Sequence, residues 1–131
     1  MCGAVTFSIA LPPKWVAHCH CSMCRRAHGA PYVTWVGVNS PDFTLTDGAA
    51  SLVTYRSSIE GVRQFCKNCG SPLFFKSGRW SNEVHIARAA IPGSVDMEAQ
   101  SHAFFSDKAS WVHIHDDLPK RGGPSGTEPL T

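Results

Sequence analysis

Apolar and polar side chains alternate along residues 4–9, with Val5, Phe7 and Ile9 on one side and Thr6 and Ser8 on the other. This is the period-two signature of a strand buried on one face. Short runs of similar character follow at residues 32–38, 42–46, 52–55, 62–65, 72–75, 83–90 and 111–115, many of them set apart by glycine or proline. The pattern predicts a mainly β protein with one short helix at residues 23–28. Ser22 is placed to cap that helix, Arg25, Arg26 and His28 suit its C-terminal dipole, and Gly29 can take the left-handed position beyond it. The last 13 residues, 119–131, hold three prolines and three glycines and almost nothing apolar. They are expected to form a flexible, frayed tail behind a single domain at residues 1–118.

Composition agrees with a folded domain. Of the 131 residues, 43% are hydrophobic and 17% charged, which is too apolar and too weakly charged for a disordered chain. Lys and Arg number 12 against 10 Asp and Glu, a net charge of +2, and the basic residues do not gather into the face that nucleic acid requires. No apolar run is long enough to span a membrane. The N-terminal stretch lacks a charged lead, carries polar Thr6 and Ser8, and soon meets Pro12 and Pro13, unlike a signal peptide. The expected location is the cytoplasm, where cysteines stay reduced and clustered ones usually bind metal or perform chemistry. Nothing here sets the oligomeric state, and a homodimer is compatible with it.

All six cysteines fall in three places: Cys2, then Cys19, Cys21 and Cys24 in a C-x-C-x-x-C run, then Cys66 and Cys69 in a C-x-x-C run followed by Gly70. Inert core cysteines would scatter with the strand period, and a disulfide framework would want an exported chain. Soft thiolates at these spacings select zinc. Two partitions compete. In one, Cys21, Cys24, Cys66 and Cys69 make a single closed four-cysteine ribbon, as in a non-catalytic binding or scaffold module. In the other, Cys2, Cys66 and Cys69 hold a structural zinc, while Cys19, Cys21 and Cys24 hold a second zinc with an open fourth position, the mark of a catalytic site. Cys24 in the first helical turn and the short span from Cys19 favour the second. Three thiolates make the zinc a poor activator of water and a good platform for a further thiolate, so a small thiol attacking a small carbonyl is the expected chemistry.

Together these residues resemble the glutathione-dependent formaldehyde-activating enzyme (Gfa-like) family, which also includes a vertebrate centromere protein. The match rests on Cys2-Gly3-Ala4-Val5, on Cys19-His20-Cys21-Ser22-Met23-Cys24-Arg25-Arg26, and on Phe65-Cys66-Lys67-Asn68-Cys69-Gly70-Ser71. Weaker matches lie between Gly48 and Tyr55, at His102-Ala103-Phe104, and from Trp111 to Pro119. The resemblance implies an Mss4-like fold of folded antiparallel sheets with zinc sites. It implies a catalytic zinc on Cys19, Cys21 and Cys24 and a structural one on Cys2, Cys66 and Cys69. It also implies a carbon–sulfur lyase acting on a glutathione–aldehyde adduct such as S-hydroxymethylglutathione, with a glutathione-like thiol and a small aldehyde as partners. Family members usually begin with C-x-C-G, whereas Met1 directly precedes Cys2 here, so the structural ligand set is expected to be incomplete.

Several other residues are weighed against blander roles. His18 and His20 flank Cys19 but are not needed as ligands once the cysteines are counted. Arg25, Arg26 and His28 either offset thiolate charge or form a solvated helix face. His113 and His115 would share one face of a strand at residues 111–115, yet no third ligand is apparent and a surface strand is the simpler reading. His102 is expected to be a hydrogen-bonded structural histidine, and Trp15, Trp35, Trp80 and Trp111 to be core or pocket wall. A zinc deaminase is excluded because no H-x-E occurs and Phe65, not proline, precedes Cys66.

Overall fold

The structure, a computed structural model, describes residues 1–130. Eleven strands and one α-helix follow one another in the order β1 (Thr6–Ile9), β2 (Trp15–Cys19), α1 (Ser22–His28), β3 (Val33–Asn39), β4 (Phe43–Asp47), β5 (Leu52–Arg56), β6 (Gly61–Cys66), β7 (Pro72–Ser77), β8 (Glu83–Ala87), β9 (His102–Ala103), β10 (Arg121–Gly122) and β11 (Glu128–Pro129). Seven strands form the main sheet in the order β5-β6-β7-β8-β3-β2-β9, antiparallel except for the β2–β9 pair, and β1 pairs with β4 in a separate ribbon. No helix among the described residues is long and apolar enough to cross a membrane.

The two faces of the main sheet do different work, because successive side chains point to opposite sides. On one face Val16, Val36, Val38, Phe74, Val84 and Ile86 are buried, and the β1–β4 ribbon lays Phe7, Phe43 and Leu45 over them. Phe74 sits at the centre, edge-on to the rings of Phe7 and Phe43 at centroid distances of 5.1 and 5.0 Å. The alternate residues Trp15, Cys19, Trp35, Phe75 and His85 line an open cleft on the other face. The row that crosses this face is in register: Arg63 on β6 opposes Phe75 on β7, Phe75 opposes His85 on β8, His85 opposes Gly37 on β3, and Gly37 opposes Trp15 on β2. At Gly37 a Cβ would occupy the space of the Trp15 indole, so glycine is what lets that ring lie against the sheet.

The pattern-based strands recur with shifted ends, but four features differ. Strand β2 has no counterpart in the hydropathy pattern, because Trp15, Val16 and Ala17 are apolar in succession and show no apolar–polar alternation. The strand expected over residues 83–90 stops at Ala87 and continues as a 3-10 turn over Arg88–Ala90. Residues 111–115 are not a strand, so His113 and His115 lack the shared strand face. The expected frayed tail instead folds back as the β10–β11 hairpin; Thr131 lies outside the described residues. Its glycines serve close approach: Gly126, at φ +75°, packs against the Phe104 ring where a Cβ would collide. The Phe104 N–H donates to the Gly126 carbonyl at 2.9 Å, and Arg79 Nη1 donates to the Pro124 carbonyl at 2.8 Å.

Phe74→Ala removes the central ring of the two-layer core, and the expected loss is roughly 3–5 kcal/mol. Urea unfolding measures it; a loss below about 1 kcal/mol would mean that the ribbon and sheet do not share this core.

Candidate metal centre

Cys19 closes β2, Cys21 caps α1 and Cys24 lies in the helix's first turn, so a strand end and a helix start converge on one point. The N-cap is Cys21 rather than Ser22, and its Sγ accepts from the Cys24 N–H at 3.3 Å. Gly29, left-handed at φ 59°, closes the helix as expected. The three Sγ atoms all lie within 4.8 Å of one another. A tetrahedral zinc with bonds of about 2.3 Å would hold its sulfurs about 3.8 Å apart, so this donor set fits such an ion with little movement.

The second group is Cys2, Cys66 and Cys69, also within 4.8 Å of one another. Cys2 and Cys66 approach to 3.7 Å, while the Cys66–Cys69 turn is closed by the Gly70 N–H donating to the Cys66 carbonyl at 2.7 Å. Hydrogen bonds from the Ser71 side chain and backbone bring the Cys69 thiol down to about 5. The single ribbon of Cys21, Cys24, Cys66 and Cys69 is therefore not formed. Strand β6 delivers Cys66 to the start of the chain, not to α1, and the six cysteines divide into two trios.

Cys24 is the most acidic thiol of the first trio. Hydrogen bonds from the Cys19 and Cys21 thiols, with the charge of Arg63 behind them, hold Cys24 far below the usual thiol range despite its burial. The same sharing of protons raises Cys19, which is also buried. Arg63, which sequence reasoning did not single out, reaches from β6 with Nη1 and Nη2 both 3.6 Å from Cys24 Sγ. Its guanidinium lies over the Phe75 ring at 5.0 Å, and its Nε is buried without a partner.

The neighbouring histidines turn away from the sulfurs, as neither belongs to a ligand group. His18 Nδ1 pairs with Thr34 Oγ1 at 2.8 Å. His20 Nε2 pairs with His102 Nδ1 at 2.8 Å, and His102 Nε2 meets the Asp116 carboxylate at 2.9 and 3.1 Å. An ionised carboxylate only accepts, so His102 donates to Asp116 from Nε2. This chain, buried at its two histidines, lies behind the Cys19-His20-Cys21 loop, and His102 is hydrogen-bonded through both ring nitrogens. Arg25 joins in, donating from Nε to the His20 carbonyl and from Nη2 to the Asp107 carbonyl, each at 3.2 Å. Arg25 is thus a brace, Arg26 is exposed, and His28 packs edge-on against Trp35.

The trio opens onto a cleft of about 1300 Å³ walled by Trp15, Trp35, Phe75, Trp80 and Phe104. Arg63, Arg79 and Arg121 face Glu60, Glu83 and Asp107 around it. Trp111 stands apart, 66% exposed on the surface.

Replacing Arg63 by Met removes both N–H···S contacts, and competition titration with a chelator is expected to show Co²⁺ or Zn²⁺ held about tenfold or more weakly at this trio. Arg63→Lys should recover part of the loss. Equal affinity in wild type and both variants would contradict a role for Arg63 at Cys24.

The profile of the glutathione-dependent formaldehyde-activating enzyme family matches residues 1–107. A Halomonas elongata protein, named as a candidate glutathione-dependent formaldehyde-activating enzyme, is 30% identical over 120 residues, covering 86% of this chain and 76% of that protein. An uncharacterised lyase of Schizosaccharomyces pombe is 24% identical over 108 residues, covering 82% of this chain and 77% of its own. A crystal structure of a Rhodobacter sphaeroides protein superposes with a TM-score of 0.61 at 25% identity, over 71% of this chain and 84% of that one. With the family profile spanning most of its length and both cysteine trios assembled, the chain belongs to the glutathione-dependent formaldehyde-activating enzyme family.

Proposed function

We propose that this protein is a zinc-dependent carbon–sulfur lyase that makes and breaks the adduct of glutathione, or a similar small thiol, with a small aldehyde, S-hydroxymethylglutathione being the representative product. The observation that carries this reading is the trio of Cys19, Cys21 and Cys24, gathered within 4.8 Å at the wall of a cleft large enough for a peptide-sized thiol. A zinc ion held by these sulfurs supplies a soft further position at which a small thiol stays deprotonated yet nucleophilic near neutral pH. Cys2, Cys66 and Cys69 are assigned a second, structural ion.

The chain's own residues supply the rest. Arg63 offsets the negative charge that accumulates when a substrate sulfur joins three protein thiolates, and its contact with Cys24 keeps that sulfur turned inward. Trp35 and Phe75 give the cleft apolar walls beside the sulfurs. In the forward direction a carbon–sulfur bond forms, the carbonyl π bond opens, and the proton lost from the thiol ends on the new hydroxyl oxygen. The lyase direction reverses each change, so no oxidant or reductant is needed. Arg63, Arg79 and Arg121 suit a substrate bearing carboxylates, as glutathione does. None of the six cysteines is joined in a disulfide, which fits a reducing compartment such as the cytoplasm.

Exchange between ¹³C-formaldehyde and S-hydroxymethylglutathione, followed by NMR, tests this reading. Zinc-loaded protein is expected to accelerate the exchange, and Cys19→Ser, Cys21→Ser and Cys24→Ser are each expected to return it to the uncatalysed rate. Exchange that zinc-loaded wild type leaves unchanged would overturn the assignment.

A further inference from the structure

We infer that Glu83, His85 and Arg79, at the end of the cleft opposite the cysteine trio, form a recognition subsite for the polar terminus of a peptide-sized thiol. The subsite takes an N–H group at His85 Nδ1 and a carboxylate at Arg79. The inference rests on the proposed function and adds to it the length and end-group chemistry of the thiol.

His85 is fixed on every side but one. Its Nε2 pairs with Glu83 Oε1 at 2.9 Å. Its ring packs against Trp15, Trp80 and Phe75 at centroid distances of 4.6, 5.5 and 5.7 Å. Glu83 is itself fully engaged, receiving Lys14 Nζ at Oε2 at 2.7 Å and Trp15 Nε1 at Oε1 at 3.2 Å. Desolvation opposes its charge, but hydrogen bonds from Lys14, His85 and Trp15 prevail and hold the carboxyl below its ordinary range. Burial meanwhile pushes His85 below its ordinary value. An ionised Glu83 beside a neutral His85 commits the imidazole proton to Nε2 and leaves Nδ1 as a bare acceptor.

That lone pair has no partner among the described residues. It is also not sealed in the interior: the buried side-chain nitrogens and oxygens without a partner are His20 Nδ1, Ser57 Oγ, Arg63 Nε and Gln64 Oε1. His85 lines the cleft with its side chain 7% exposed, and with Nε2 committed to Glu83, Nδ1 is the ring nitrogen left for a ligand there. Glu83, with its side chain only 10% exposed, ties Lys14, Trp15 and His85 together and so fixes the orientation of the imidazole. Arg79 is next to this ring through Trp80, which its guanidinium overlies at 5.7 Å. Its side chain is 45% exposed, and its nearest carboxylate, Glu60, lies 3.9 Å away, a loose contact that a ligand can displace.

Register sets the distance. His85 stands level with Gly37 and Trp15, while Cys19 lies four residues further along β2 on the same face. At roughly 3.3 Å per residue the two ends of the cleft are about 13 Å apart. The sulfur of glutathione sits on its central residue, and its longer arm, out to the γ-glutamyl carboxylate, reaches roughly 10 Å when extended, so with the sulfur in the cleft just ahead of the trio that terminus approaches His85 and Arg79. A two-carbon thiol does not reach them.

Calorimetric titration of zinc-loaded protein with glutathione, glutathione diethyl ester and 2-mercaptoethanol tests the subsite. Wild type is expected to bind glutathione about tenfold or more tightly than either comparison thiol. His85→Phe keeps the aromatic packing and removes the acceptor, and Arg79→Met removes the carboxylate partner. Each should cancel most of the preference for glutathione while leaving 2-mercaptoethanol affinity as it was, which also reports that the variant is folded and loaded. A wild type that binds all three thiols equally, or variants that keep the preference for glutathione, overturn the subsite alone. A wild type that binds no thiol overturns the proposed function and the subsite with it.

Discussion

Three sulfurs that would repel one another as thiolates are held within 4.8 Å because the end of β2 and the start of α1 leave them no alternative. The tension at this point organises its surroundings. Cys24 carries the negative charge, Cys19 and Cys21 share protons with it, and Arg63 places two N–H groups against the same sulfur. Behind the loop, the chain from His20 through His102 to Asp116 prevents the segment between Cys19 and Cys21 from turning outward. A soft cation relieves the repulsion outright, which is why this donor set suits zinc better than a bare thiol cluster.

The sheet makes such a site affordable in a small domain. One face carries the apolar core and is sealed by the β1–β4 ribbon, so fold stability is concentrated there. The other face carries a smaller cluster of Cys19, Cys24, Val33, Trp35 and Ala87, and around it indole, phenyl and imidazole rings line the cleft. The register that runs from Arg63 through Phe75 and His85 to Trp15 ties these rings to the strands that also carry the core.

The cysteines were legible in the sequence because metal-ligand spacing is a local property: C-x-C-x-x-C and C-x-x-C are read within a few residues. The helix with its Gly29 cap and most strand positions were legible for the same reason. What escaped was long-range or ambiguous. Arg63 meets Cys24 only through the reach of its long side chain across the sheet from β6, and the Glu83–His85 pair gains meaning only when Trp15 is known to stand opposite Gly37. Strand β2 hid because Trp15, Val16 and Ala17 put apolar side chains on both faces, which erases the period-two signal. The C-terminal segment was misread because glycine and proline mark a tight hairpin as readily as a loose end, and only the Phe104 ring under Gly126 distinguishes the two. His113 and His115 looked paired on a strand that the chain does not form.

The central claim is that Cys19, Cys21 and Cys24 hold one ion among themselves and leave a position for a substrate sulfur. A crystal structure of the zinc-loaded protein with anomalous data collected at the zinc edge tests it most directly. The expected result is an anomalous peak equidistant from these three sulfurs, with its remaining ligand drawn from solvent or added thiol. A peak ligated by cysteines from both trios, or no peak at this point in fully zinc-equilibrated protein, would contradict it.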